Sequence, residues 1–162
     1  MREIGVPAPF TCTPVCRAVF IFESLAAAIG PAGDVLYVPL SITGGRVTGK
    51  GSEKRILGGS DFAMMYADEK LVHDGNCVVT DPMGDILLWY GGFSQAQEGA
   101  YDALLDGRLP AKAQSHCSVR IVSTNPQWRF LNRKPLLGIG SFDGNIGILE
   151  LTILMVTADA VT

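Results

Sequence analysis

The stretch LVHDGNCVVTDPMGDILLWYGGF, residues 71–93, decides the fold class. Two runs rich in apolar and β-branched residues, 71–80 and 86–93, flank Asp81-Pro82-Met83-Gly84-Asp85. Asp, Pro and Gly supply the backbone angles of a chain reversal, so the stretch reads as a β-hairpin. Working outward, similar runs recur at residues 17–25, 35–42, 46–49, 63–66, 117–122, 136–140 and 146–156. Turn residues punctuate them: Gly44-Gly45, Gly58-Gly59, Ser123-Thr124-Asn125-Pro126 and Asp143-Gly144-Asn145. Pro39 marks the second run as an edge or a bulge, because proline has no N–H for the ladder. One helix is expected near residues 95–106, with Ser94 as its cap, Gln97 at the capping-box position and Gly107 at its end. Short strands at this spacing point to an all-β chain folded as a single antiparallel β-barrel, lipocalin-like, of about 8–10 strands. Residues 1–14, with three prolines, read as an irregular N-terminal arm, and residues 15–162 as the barrel domain.

Composition excludes several function classes. Of 162 residues 48% are hydrophobic and 18% charged, and 19 are Gly, where average usage predicts roughly 11. That apolar content offsets ordering entropy and excludes intrinsic disorder. The net charge is −3 with 13 scattered basic residues, which argues against nucleic acid as a partner. Mean hydropathy is +0.26, yet Arg17, Glu23 and Glu150 interrupt the two longest apolar runs, so no membrane span is expected. Residues 1–7 lack the layout of a secretory signal, and a cytoplasmic location is expected. The spacing of Cys12, Cys16, Cys77, Cys117, His73 and His116 does not make a metal site. An apolar excess without a span points to a greasy pocket, an oligomer interface, or both. A homo-oligomer is therefore expected.

Candidate chemistry is sparse. Asp61 follows a glycine pair and precedes Phe62, and a carboxyl there is a candidate acid or base at a barrel mouth. His73-Asp74 is a second candidate, although neighbours on a strand face opposite ways and only one enters the lumen. The glycine pairs lead into neither a helix nor a Gly-Lys-Ser/Thr motif, so they are not phosphate loops. No nucleophile elbow is present.

Four segments in order carry a resemblance. They are residues 41–49 (Ser-Ile-Thr-Gly-Gly-Arg-Val-Thr-Gly), residues 56–62 (Ile-Leu-Gly-Gly-Ser-Asp-Phe), the turn at 80–87, and Phe130-Leu131-Asn132-Arg133 followed by Leu136-Leu137-Gly138-Ile139-Gly140. Together they resemble the domain-of-unknown-function 3237 family of small β-barrel proteins, over residues 17–156. The chain departs from that family at His73-Asp74-Gly75-Asn76-Cys77, where the family carries Asp, Arg and Tyr, and at His116-Cys117-Ser118-Val119. The resemblance implies the barrel. Through fungal relatives associated with polyketide and terpenoid pathways, it also implies a cyclase acting on aromatic or prenylated intermediates. The leading expectation is thus a cofactor-free cyclase closing an oxygen heterocycle by hydroalkoxylation of a prenylated phenol. Asp61, His73 and Asp74 are its candidate catalytic groups, and Trp89, His116, Arg120, Trp128 and Asn132 its candidate substrate contacts. The alternative is a non-catalytic carrier of a hydrophobic small molecule.

Overall fold

The structure is a computed structural model that describes residues 10–24, 28–49, 51–106, 108 and 112–158. Its strands are β1 (Phe10–Ser24), β2 (Ala28–Ile29), β3 (Val35–Gly49), β4 (Ser52–Tyr66), β5 (Lys70–Val79), β6 (Ile86–Ala96), β7 (Ala113–Ser123), β8 (Leu136–Asp143) and β9 (Ile148–Ala158). One helix, α1 (Ala100–Leu105), and one 3-10 turn, Arg129–Leu131, complete the described elements. Every pairing is antiparallel. The order β1-β9-β8-β7-β6-β5-β4-β3 closes on itself through β1–β3, which makes an eight-stranded barrel. Closure leaves no long edge exposed, and eight strands enclose a lumen that side chains nearly fill.

Eight barrel strands fall within the expected 8–10, and several are longer than the glycine punctuation predicts. Gly44-Gly45 and Gly58-Gly59 do not end strands. They lie within β3 and β4, beside register shifts at Ile21/Phe22 and Ile56/Gly58. These are bends that let 15-residue strands curve around a barrel. Gly45 shows why glycine is needed there: its φ is 132°, and a Cβ would collide with the Val19 carbonyl. Pro39 does meet the edge expectation. Among the described residues, pairing of β3 with β1 stops at Leu40 and pairing with β2 uses only Leu36 and Tyr37, so Pro39 falls in the gap.

Two further expectations are corrected. β1 starts at Phe10, so residues 10–14 belong to the barrel and not to an arm. Residues 1–9 lie outside the described residues. The helix starts five residues later than its capping pattern predicts. Gln95 and Ala96 stay in β6 because they pair with β5 and β7 at Lys70, Gln114 and Ala113. Ser94 points inward, and the residue before α1 is Gly99 with no side-chain cap. Gly107 lies outside the described residues. Among those residues, no helix is long and apolar enough to cross a membrane.

The core fills one half of the lumen. Val47, Ile56, Val79, Ile86 and Ile121 converge there, and Trp128 and Leu131 plug that end from beneath. A Cβ on Gly49 would come within 2.9 Å of the Trp128 ring, so the indole lies directly against β3. At the other end α1 turns Ala100, Tyr101 and Leu104 toward the barrel. The Glu69 carboxylate anchors it, accepting the backbone N–H groups of Gly99 (3.1 Å) and Tyr101 (2.9 Å). Between α1 and the packed half lies an apolar cavity.

Candidate functional site

Strand register builds the site. Asp61 on β4 pairs with Gly75 on β5, which pairs with Tyr90 on β6, and all three face the lumen. The Tyr90 side chain crosses over Gly75 and its hydroxyl donates to Asp61 Oδ2 at 2.5 Å. Only glycine permits the crossing, because a Cβ at position 75 would collide with the Tyr90 ring. Phe20 supports that ring from the core, with centroids 4.9 Å apart. Two residues along β5, His73 also faces inward, and its Nε2 lies 3.1 Å from Ser115 Oγ and 3.3 Å from Ser94 Oγ.

Burial governs the electrostatics. Asp61 is 6% exposed, and desolvation pushes its carboxyl up to about 6; the Tyr90 hydrogen bond works the other way, and the Asp74 charge adds a smaller push upward. Asp61 Oδ1 is buried and accepts no hydrogen bond among the described residues. Burial lowers His73 to about 4, against the pull of Asp74, so its imidazole is neutral at physiological pH. The same desolvation, with Asp61 beside it, holds Tyr90 well above its ordinary value and keeps it a donor. One carboxyl near its midpoint and one neutral imidazole therefore line an apolar chamber, and a phenol in the wall behind donates to the carboxyl.

The cavity is lined by Asp61, His73, Ser94 and Ser115 among mostly apolar walls, with Phe22, Val38 and Leu40 on the strands and Leu104 and Phe142 toward α1. Its volume is about 40 Å³, room for roughly three waters. A larger guest must displace side chains. Among the described residues no cluster of three or more His, Cys, Asp or Glu side chains could hold a metal ion.

Of the residues read from the sequence, Asp61 and His73 meet in this chamber. The others do not. Asp74 is on the outer surface, where it accepts the Trp89 indole N–H at 2.6 Å. Trp89 lies on that same outer face, and His116 and Arg120 are exposed on the outside of β7. Strand parity explains all four, since each neighbours an inward residue: His73, Tyr90, Cys117 and Val119. Trp128 is part of the plug, and its indole N–H has no partner among the described residues. Asn132 ties down the strand end, accepting Ser123 N–H at 2.8 Å and donating to the Ser123 carbonyl at 2.9 Å. Sequence reading missed Tyr90, Ser94 and Ser115. For Ser115 a signal existed: Ala113, Cys117, Val119 and Ile121 alternate with polar residues, and Ser115 shares their parity.

Solved structures share this architecture at low identity. A conserved protein of unknown function from Rhodopseudomonas palustris superposes with a TM-score of 0.77 at 15% identity, covering 93% of this chain and 100% of its own. A β-barrel-like protein from Acinetobacter baumannii gives 0.68 at 19%, covering 94% and 99%. A structure described as an enzyme from Penicillium herquei gives 0.63 at 14%, covering 97% and 100%. At these identities the likeness shows the fold alone. No curated protein matches the sequence. The sequence profile of one family matches residues 10–157, nearly the whole described barrel, and the chain belongs to that family, described as Protein of unknown function (DUF3237).

Proposed function

We propose that this barrel is a cyclase that closes an oxygen heterocycle by adding a phenolic hydroxyl across a prenyl alkene. The carrying observation is the buried Asp61 carboxyl, held by Tyr90 in an apolar chamber at a pKa of about 6. Such a group both gives and regains a proton near neutral pH. In the reaction Asp61 delivers its proton to an alkene carbon, and the phenol oxygen bonds to the neighbouring cationic carbon. The phenolic proton passes to neutral His73 and then restores Asp61. One C–O and one C–H bond form while one O–H bond and one C=C π bond break, so the step is redox-neutral. Tyr90 stabilises the carboxylate left after proton delivery. Phe22, Phe142, Val38 and Leu40 would hold the flexible substrate folded and keep water from capturing the cation.

The Penicillium herquei structure adds that a barrel of this shape is described as an enzyme; its chemistry is not carried across at 14% identity. A prenylated aromatic ring needs more than the present 40 Å³, so binding requires Leu104 and Phe142 to move. The small apolar cavity also supports a second reading, a carrier for a hydrophobic small molecule. The test uses prenylated phenols whose ring closure creates a stereocentre. Product formed faster than without protein, and enriched in one enantiomer, supports the cyclase. Binding without turnover, unaffected by Asp61→Ala, supports the carrier.

A further inference from the structure

A chain of hydrogen bonds runs from His73 through Ser115, which lines the same cavity, to Cys117 and the Gly138 carbonyl. The Gly138 carbonyl is an acceptor only, and Cys117 Sγ lies 3.7 Å from it as the donor. A thiol has one proton. With that proton on Gly138, Cys117 Sγ is left to accept, and Ser115 Oγ lies 3.7 Å from it. The geometry of that contact allows either atom to donate; with the thiol proton on Gly138, a Ser115–Cys117 hydrogen bond takes the single Ser115 proton. Toward His73 Nε2, at 3.1 Å, Ser115 Oγ is then left as acceptor. All three side chains are buried: Cys117 at 4%, Ser115 at 1% and His73 at 7% exposure. Burial also raises the Cys117 thiol and keeps it protonated.

We infer that Ser115 and Cys117 are positioning residues that set His73 as the Nε2–H tautomer, leaving the lone pair, and with it the basic site of the ring, on Nδ1. This rests on the cyclase reading only for what Nδ1 does; the tautomer itself stands on the geometry. No hydrogen bond to Nδ1 is found among the described residues, and His73 lines the cavity. Ser94 Oγ, 3.3 Å from Nε2, accepts a second share of the same N–H. It is also the competitor: were its hydroxyl the donor, Nε2 would hold the lone pair and Nδ1 the proton. The polarity of the Gly138–Cys117–Ser115 chain decides between the two.

The experiment is long-range ¹H–¹⁵N correlation of the imidazole, in which protonated and unprotonated ring nitrogens resonate apart. The protein has two histidines, and His116→Gln on the outer face leaves His73 as the single imidazole. Without substrate at pH 7.5, the expected state is a protonated Nε2 and a bare Nδ1. Ser115→Ala is expected to shift population toward Nδ1–H, because Ser94 then donates to Nε2. Cys117→Ser, which keeps one donor and one acceptor in the chain, is expected to leave the Nε2–H state in place. Backbone amide spectra identify folded variants. A resting Nδ1–H state in the His116→Gln protein overturns the inference, as does an unchanged tautomer in folded Ser115→Ala. Neither result depends on turnover, so failure of the cyclase reading is seen separately. If both hold, Ser115→Ala lowers kcat with little change in KM.

Discussion

Replacing Asp61 by Asn tests whether burial sets the chemistry of this chamber. Asn keeps the shape and an oxygen to accept the Tyr90 hydroxyl but cannot ionise. The wild-type carboxyl moves from 3.8 to about 6 on folding because desolvation penalises its charged form. A raised carboxyl pKa contributes stability that is fully present below the unfolded value and is lost as pH rises through the folded value. A shift of about two units at 1.36 kcal/mol each is about 3 kcal/mol, lost between pH 3.8 and just above 6. Asp61→Asn removes that loss. Urea unfolding of both proteins at pH 4 and pH 7.5 should therefore give a stability difference that moves by about 2.5 kcal/mol in the variant's favour at the higher pH, since the unfolded carboxyl is already partly ionised at pH 4. Taking the difference matters because His73 titrates with the opposite sign in the same window. A difference independent of pH would mean that the buried Asp61 carboxyl ionises as it does in water.

His73 is lowered to about 4, so its neutral form stabilises the fold above pH 6.5 and that contribution is lost as pH falls toward 4. His73→Gln should remove about 3 kcal/mol of acid destabilisation, read by urea unfolding at pH 7.5 and pH 4. Gly75→Ala should cost roughly 1–3 kcal/mol, because its methyl displaces the Tyr90 ring from Asp61; near-wild-type thermal stability would show that the ring has room to move. Glu69→Ala removes the acceptor for the Gly99 and Tyr101 amides at the start of α1. Hydrogen exchange at those two amides should accelerate, while exchange at Leu88 in the packed half stays unchanged.

How legible this was in the sequence differs by element. The hairpin around Asp81 was legible because its chemistry is local. The Asp81 carboxylate accepts the Met83 N–H at 2.9 Å, and Lys54 braces it at 2.5 Å. The barrel was legible from alternation, and β7 alternates along its whole length. Helix α1 was misplaced because Ser94 and Gln97 imitate a capping box, while pairing of Gln95 and Ala96 with two neighbouring strands outweighs that local preference. The glycine pairs read as turns because a sequence does not separate a chain reversal from a bend within a long strand. At the site, Asp61 was legible from its place between a glycine pair and Phe62, and His73 from the alternation that lets only one of His73 and Asp74 enter the lumen. Arg120 and His116 carry the chemistry of a ligand contact, but the parity of Val119 and Ile121 places them outside. Tyr90 was hidden for another reason. Its bond to Asp61 spans 29 residues and depends on a glycine between them, which is a property of strand register.

On the cyclase reading, Asp61 delivers a proton to one face of a substrate held in this lumen. The most direct measurement is cyclisation of a prenylated phenol in D₂O, with the position and configuration of deuterium read by NMR. One deuterium on the former alkene carbon, on one face, is expected from the wild type, with a rate loss of roughly a hundredfold or more in Asp61→Asn. Deuterium spread over both faces at the rate of the protein-free reaction would contradict the claim.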